Sequence, residues 1–252
     1  MKRARVKVYF YDEEQILVED EEGREKNFIN LANENVEKRT LTGAFRMPYA
    51  DLIRKLLKGD NVTLPSSFFK VHDHIDKMLD SIRNKNGKKA LICAFTESEG
   101  DRDNVNSPKN IRIGYPLQSS FDLYKNKNLK ITWLMNEKTE YPKYWSGEFK
   151  DPLSRCSCVY GAQGFEADYV GVVWGRDLVW RGKWVVNTSP ITDNVGGKQY
   201  SLKVIAKKNV QKALELLRNR YYIMLTRGIR EVHIFVEDDM TREYLKSITR
   251  SP

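Results

Sequence analysis

Polar residues interrupt the apolar runs of this chain at a few places where chemistry could be housed: Asp12 to Gln15, Arg46, the stretch Gly161 to Glu166, and Thr226-Arg227. They fall at the ends of strand-like runs or the starts of helix-like ones. The arginines matter most, because a planar, permanently charged guanidinium matches the oxygens of a phosphate. Taken singly, an arginine that follows a strand, as Arg46 follows Leu41 to Phe45, is more often a surface or ion-paired residue than a phosphate clamp. The same holds for Arg227, so phosphate chemistry has to rest on order and context. Metal chemistry has less support. Cys93, Cys156 and Cys158 lack the C-x-x-C spacing and histidine partners of a zinc site, and His72-Asp73-His74 has no second ligand pair elsewhere. Three cysteines cannot all pair within one chain, so reduced thiols in the cytosol are expected. Trp145, Trp174, Trp180 and Trp184 could stack on nucleic-acid bases, although packing in a core or hairpin is the commoner use of such side chains.

A net charge of +9 favours a polyanionic partner through release of counterions from phosphates, although lysine-rich surfaces also serve solubility. With 252 residues, 40% of them hydrophobic, the chain can bury a substantial core, which excludes a disordered protein. No apolar run approaches the ~20 residues of a membrane-spanning helix. The basic opening Met1 to Arg5 leads into a strand rather than a signal sequence.

The elements that must position the polar residues alternate along the chain. Val6 to Tyr11 reads as a buried parallel strand that delivers Asp12 to Gln15 from its carboxyl end. Phe28 to Asn35 reads as a short helix and Arg39 to Thr42 as a strand. Tyr49, Leu52, Ile53, Leu56 and Leu57 repeat on one helical face until Gly59. Ser66 or Ser67 caps a second expected helix, in which Phe68, Val71, Ile75, Met78, Leu79 and Ile82 recur. Lys89 to Phe95 and Leu129 to Leu134 are expected strands, with Thr96 to Pro108 a surface loop between them. A loop carries Trp145, strands follow over Cys156 to Tyr160 and Tyr169 to Trp174, and Leu178 to Val186 forms a hairpin around Gly182. Val210, Ala213, Leu214, Leu217, Tyr221 and Met224 trace a helix face, followed by a strand over Val232 to Val236 and a last helix from Thr241. This alternation predicts an α/β fold of three layers, a mostly parallel sheet with helices on both faces.

At this level of detail the sequence resembles the Schlafen-group-3-like DNA/RNA helicases, relatives of superfamily 1 helicases, over most of its length. Cys158 to Val173, with the core Gln163-Gly164-Phe165-Glu166, looks like that family's motif V. Tyr222 to Gly228 is similar to motif VI, whose arginine reaches the nucleotide γ-phosphate. Leu41 to Arg46 resembles motif IV, and Phe10 to Gln15 resembles motif III, which senses nucleotide state through its glutamine. The resemblance implies a RecA-like second motor domain over residues 41–252, preceded in 1–40 by a remnant or edge of the first. It also implies Arg46 and Arg227 as phosphate clamps, because fixed guanidinium groups stabilise charge spreading over the γ-phosphate. Gln15 would orient water or relay the presence of that phosphate. Glu166 would hydrogen-bond a ribose hydroxyl, Gly164 would let backbone approach the nucleotide, and Gln163 belongs to the same nucleotide-binding turn. Tyr160 and Thr226 would face nucleic acid. Asp12-Glu13 also fits motif II, which binds magnesium, although the presence of Gln15 and the interval to Arg46 favour motif III. Ala44 and Tyr160-Gly161 depart from the family pattern of glutamine and His-Thr, and no G-x-x-x-x-G-K-[ST] occurs.

The function implied is therefore the C-terminal half of an ATP-dependent helicase-like motor. It would use ATP and Mg2+ in the complete protein, bind single-stranded or duplex DNA or RNA, and depend on an N-terminal P-loop domain. Neither ATP turnover nor tightly bound nucleotide is expected of this chain alone. The competing expectation is a non-catalytic module, derived from a helicase, that binds nucleic acid or a protein partner.

Overall fold

The computed structural model describes residues 7–21, 23–31, 37–40, 47–94, 131–134 and 138–250. Its helices are α1 (Glu25–Leu31), α2 (Ala50–Lys58), α3 (Ile75–Arg83), α4 (Glu140–Ser146), α5 (Gly197–Tyr200), α6 (Leu202–Lys208), α7 (Val210–Leu225) and α8 (Asp239–Ile248). The strands are β1 (Leu64–Pro65), β2 (Phe69–His72), β3 (Lys89–Cys93), β4 (Thr132–Trp133), β5 (Arg155–Cys158), β6 (Ala167–Trp174), β7 (Leu178–Trp180), β8 (Trp184–Val186), β9 (Gly228–Val236) and β10 (Thr249–Arg250). Six of them form one sheet in the order β2-β9-β6-β3-β5-β4, every pairing parallel. β1 and β10 make a short parallel pair, and β7 with β8 an antiparallel hairpin.

The central strands are apolar on both faces, as parallel strands covered on both sides must be. In β6, Val170, Val172 and Trp174 enter one core while Tyr169 and Val173 enter the other; in β9, Val232, Ile234 and Val236 oppose Phe235 in the same way. The first core is closed by α2, α6, α7 and α8, the second by Ile75, Met78, Leu79 and Ile82 of α3. The result is the expected three-layer α/β arrangement. α3 lies close against β6 because position 171 is glycine: a Cβ there would come within 2.9 Å of Leu91 Cδ1 and 3.1 Å of Ile82 Cδ1.

Local chemistry accounts for the helix ends. Gly59, at φ +94°, ends α2 by donating to the carbonyls of Leu56 and Lys55. The Asn209 side chain accepts the Lys212 amide and starts α7, and Asp238 does the same for Thr241 and α8.

Three expected elements differ. Residues 7–12 join no sheet, leaving Val8 and Phe10 69% and 80% exposed, because β propensity acts only when a neighbouring strand supplies the ladder. Phe69–His72 is a strand beside β9 rather than the start of a helix. The helical spacing there joined residues of a strand to those of α3, and pairing with β9 decided the outcome. Trp145 sits on a helix, α4, rather than a loop; Pro142 is accommodated in the first turn, where its missing N–H has no intrahelical partner to lose. Residues 41–46 and the expected loop at 96–108 lie outside the described residues. No helix among the described residues is long and apolar enough to cross a membrane.

Candidate functional site

The chain passes from β5 to β6 through residues 159–166 without an α-helix, using one 3-10 turn at Tyr160–Ala162. Val159, Ala162 and Phe165 tuck into the first core, which leaves Gln163 and Gly164 exposed. Gly164 has φ +76° and open space around the position of a Cβ, so backbone conformation rather than crowding calls for glycine there. The turn ends beside Arg227, at the amino ends of β6 and β9: the Ala167 amide donates to the Arg227 carbonyl at 3.0 Å. The Arg227 guanidinium donates to the carbonyls of Ile223 and Phe165 at 3.0 and 3.3 Å and to Thr226 Oγ1 at 3.0 Å. Thr226, itself buried, directs its hydroxyl at the carbonyls of Tyr222 and Ile223. Glu166 is half-buried, and its charge acts on Lys88, whose Nζ lies 4.3 Å from the Phe165 ring centre.

Asp12 to Val18 runs across α7 and reaches the same turn. Gln163 Nε2 donates to the Gln15 carbonyl at 2.7 Å, and Gln15 Nε2 donates to Asp12 Oδ2 at 2.9 Å. Asn219 of α7 donates to the carbonyls of Glu13 and Ile16, and Arg220 to that of Leu17. The acidic pair is occupied within the fold: Asp12 Oδ1 caps the 3-10 turn by accepting the Glu14 amide, and Glu13 Oε1 accepts the Glu25 amide. Magnesium ordinarily takes one or two carboxylates plus phosphate oxygens, and an ionised carboxylate has about four acceptor sites, so exposed Asp12 and Glu13 keep capacity for it while holding those amides.

Tyr222 lies between the groups. Arg54 of α2 stands 5.0 Å over its ring and is bound by Glu14 at 2.6 Å. Burial pushes the Tyr222 hydroxyl up to about 12; Arg54 and Arg227 pull against this, while Glu14 and Asp12 reinforce it. Gln15, Gln163, Gly164, Thr226 and Arg227 thus meet along one edge, with Asp12, Glu13 and Glu166 beside them. Arg46 lies outside the described residues.

Tyr160 is turned inward instead. Its hydroxyl donates to Asp193 Oδ2 at 2.7 Å and accepts from Arg220 Nη2 at 2.6 Å, and Arg220 Nη1 meets Asp193 at 2.6 Å with neither charged side chain exposed. The adjacent Gly161 is shaped by Tyr141, because a Cβ at 161 would fall 2.4 Å from Tyr141 Cε1. The tryptophans also pack. Trp174 stacks on Tyr221 at 4.0 Å, Trp180 lies parallel to Tyr244 at 3.8 Å, and Trp145 meets Phe165 at 3.7 Å.

Sequence reasoning missed Arg54, Asn219, Arg220 and Asp193. Arg220 carried a readable signal, a charge three residues after Leu217 and one before Tyr221 on an otherwise apolar helix face. Arg54 carried none, since an arginine on the polar face of an amphipathic helix reads as solvated.

The family model described as Schlafen group 3, DNA/RNA helicase domain matches residues 1–238. The Saccharomyces cerevisiae protein YPL245W, itself uncharacterized, is 28% identical to this chain over 124 residues, which is 47% of this chain and 26% of the yeast protein. The match therefore spans about a quarter of that relative's length. No solved structure matches.

Proposed function

We propose, from the premise that this chain belongs to the Schlafen group 3, DNA/RNA helicase domain family, that it acts as the second motor half of an ATP-dependent helicase-like protein. In this role it presents Arg227, and with it Arg46, to the triphosphate of a nucleotide whose main phosphate cradle is a P-loop that these residues do not contain. The observation that carries the proposal is the junction of Arg227 and Thr226 with the Phe165 turn, itself tied through Gln163 to Gln15. Residues from three separate parts of the sequence thereby share one edge of the sheet. Arg227 gives donors there to backbone carbonyls and a hydroxyl, and its planar fork also matches two oxygens of a phosphate, a bidentate charge-assisted contact. Gln15 keeps its side chain on Asp12, poised to exchange that carboxylate for water or phosphate. Asp12 or Glu13 would be the acidic group at hand for a magnesium ion bound with the nucleotide, which would supply neutralisation of phosphate charge.

The aromatic packing weighs against a module that binds nucleic acid through its tryptophans, since Trp174 and Trp184 are buried and Trp145 and Trp180 lie against Phe165 and Tyr244. The net charge of +9 supports contact with a nucleic-acid backbone under either role.

The test is complementation. This chain, mixed with a P-loop-bearing N-terminal segment of a related longer protein, is expected to give ATP hydrolysis stimulated by single-stranded nucleic acid; alone it gives none. Arg227→Ala is expected to lower the stimulated rate by about 10³-fold or more, the scale on which transition-state arginines act. An unchanged rate in that variant, or turnover by the chain alone, contradicts the proposal.

A further inference from the structure

Two arginine–carboxylate pairs lie within reach of the Asp12 to Val18 segment, and they differ in kind. Arg220 and Asp193 are both fully buried, so their pair cannot be exchanged without leaving an uncompensated charge. Arg54 and Glu14 are each about one-third exposed, at 35% and 36%, and such pairs contribute little and open readily. Arg54 Nε is held by both Glu14 oxygens, at 2.8 and 2.6 Å, while Nη1 reaches Asp51 at 2.5 Å. The Tyr222 ring beneath the guanidinium keeps it oriented by a cation–π contact that does not involve Glu14. Glu14 itself sits one residue from Gln15, in the turn that Asn219 pins to α7. An oriented guanidinium beside the Arg227 edge, neutralised by half-exposed Glu14 and exposed Asp51, has the layout of an anion site filled by internal substitutes.

We propose that Arg54 is a further phosphate-contacting residue, masked by Glu14, and that an incoming polyphosphate displaces the Glu14 carboxylate. The exchange moves no covalent bond. It frees the Glu14 carboxylate, one residue from Gln15, only when phosphate is present, while Asn219 keeps the turn on α7. The inference rests on reading this edge as a polyphosphate site.

The test uses this chain and inorganic tripolyphosphate at fixed ionic strength, with arginine Nε resonances followed by NMR. Tripolyphosphate is expected to shift the Arg54 and Arg227 signals with one common Kd. Glu14→Gln, which removes the carboxylate on Nε and leaves Asp51 on Nη1, is expected to tighten binding about two- to five-fold, the range set by the strength of a half-exposed pair. Arg54→Gln is expected to weaken binding and to erase the Glu14→Gln effect in the double variant, and Arg54→Lys, which keeps the charge but loses the fork, falls between. Circular dichroism melts separate these effects from loss of folding, which Arg54→Lys avoids. If Arg227→Gln weakens binding while the Arg54 and Glu14 variants leave Kd unchanged, the masked site is wrong and the edge stands. If tripolyphosphate fails to bind, or binds with an affinity that none of these variants changes, both fall.

Discussion

Arg220 shows how far one side chain governs this molecule. It joins Asp193, Tyr160 and the Leu17 carbonyl inside the core, where no water can replace a lost partner. Removing one member of a buried ion pair leaves a bare charge, at a typical cost of about 3–5 kcal/mol. Arg220→Ala is therefore expected to lower the unfolding free energy by that amount in a denaturant titration, with Asp193→Asn in the same background restoring part of it. A loss under about 1 kcal/mol, the level of a solvated pair, would mean that water reaches Asp193. At this scale the sequence was legible only in part. Arg227 and Gln15 could be singled out because they stand in stretches that resemble helicase motifs. Tyr160 could not be placed, because its direction depends on Asp193 and Arg220, which are remote in sequence and belong to no motif.

Among the elements, α8 and the β7–β8 hairpin meet at Asp238. That carboxylate caps α8 through the Thr241 amide and hydroxyl, and takes both arms of Arg181 at 2.8 and 2.6 Å. Burial works to raise its pKa, but Arg181 and Thr241 prevail and hold it at about 2. Because the folded value lies below the unfolded one, near 3.9, the stabilisation is complete above about pH 4 and is lost as pH falls through about 2. Asp238→Ala is expected to cost about 1–2 kcal/mol at neutral pH, mostly from the cap, since Arg181 is partly exposed. Thermal unfolding at pH 7 and at pH 2 checks this: the gap between wild type and variant narrows in acid, and a constant gap excludes the carboxylate as its source. The hairpin, α2 and α7 were readable because turn glycine, cap residue and apolar spacing agree there. β2 and α4 were not, since pairing with β9 and packing of Tyr144 in the core decided them, and neither leaves a periodic trace.

For the molecule as a whole, the segment before α1 divides. Residues 8–11 lie exposed, whereas Ile16, Leu17 and Val18 are buried in the first core. Burying an aliphatic side chain contributes about 1.5–3 kcal/mol, so these three together rival the ~5–15 kcal/mol by which a domain is stable. Removal of residues 1–11 is expected to leave a cooperative thermal transition, and removal of 1–21 to abolish it. A cooperative melt from the shorter chain would mean that the core closes without them. The three-layer architecture could be foreseen, because strands apolar on both faces alternate with one-sided helices. The attachment of residues 16–18 to α7 could not, since a three-residue apolar run has no period to read.

One helix carries both ends of this arrangement. α7 grips the Asp12 to Val18 strap through Asn219 and Arg220 and, about two turns later, delivers Thr226 and Arg227. Being continuous, it behaves as a stiff rod: a tug on the strap that rotates or slides it must displace the arginine as well, and ligand seized at the arginine end must pull on the strap. The two are mechanically geared, so amide hydrogens at Gln15 and Arg227 should gain or lose protection in step.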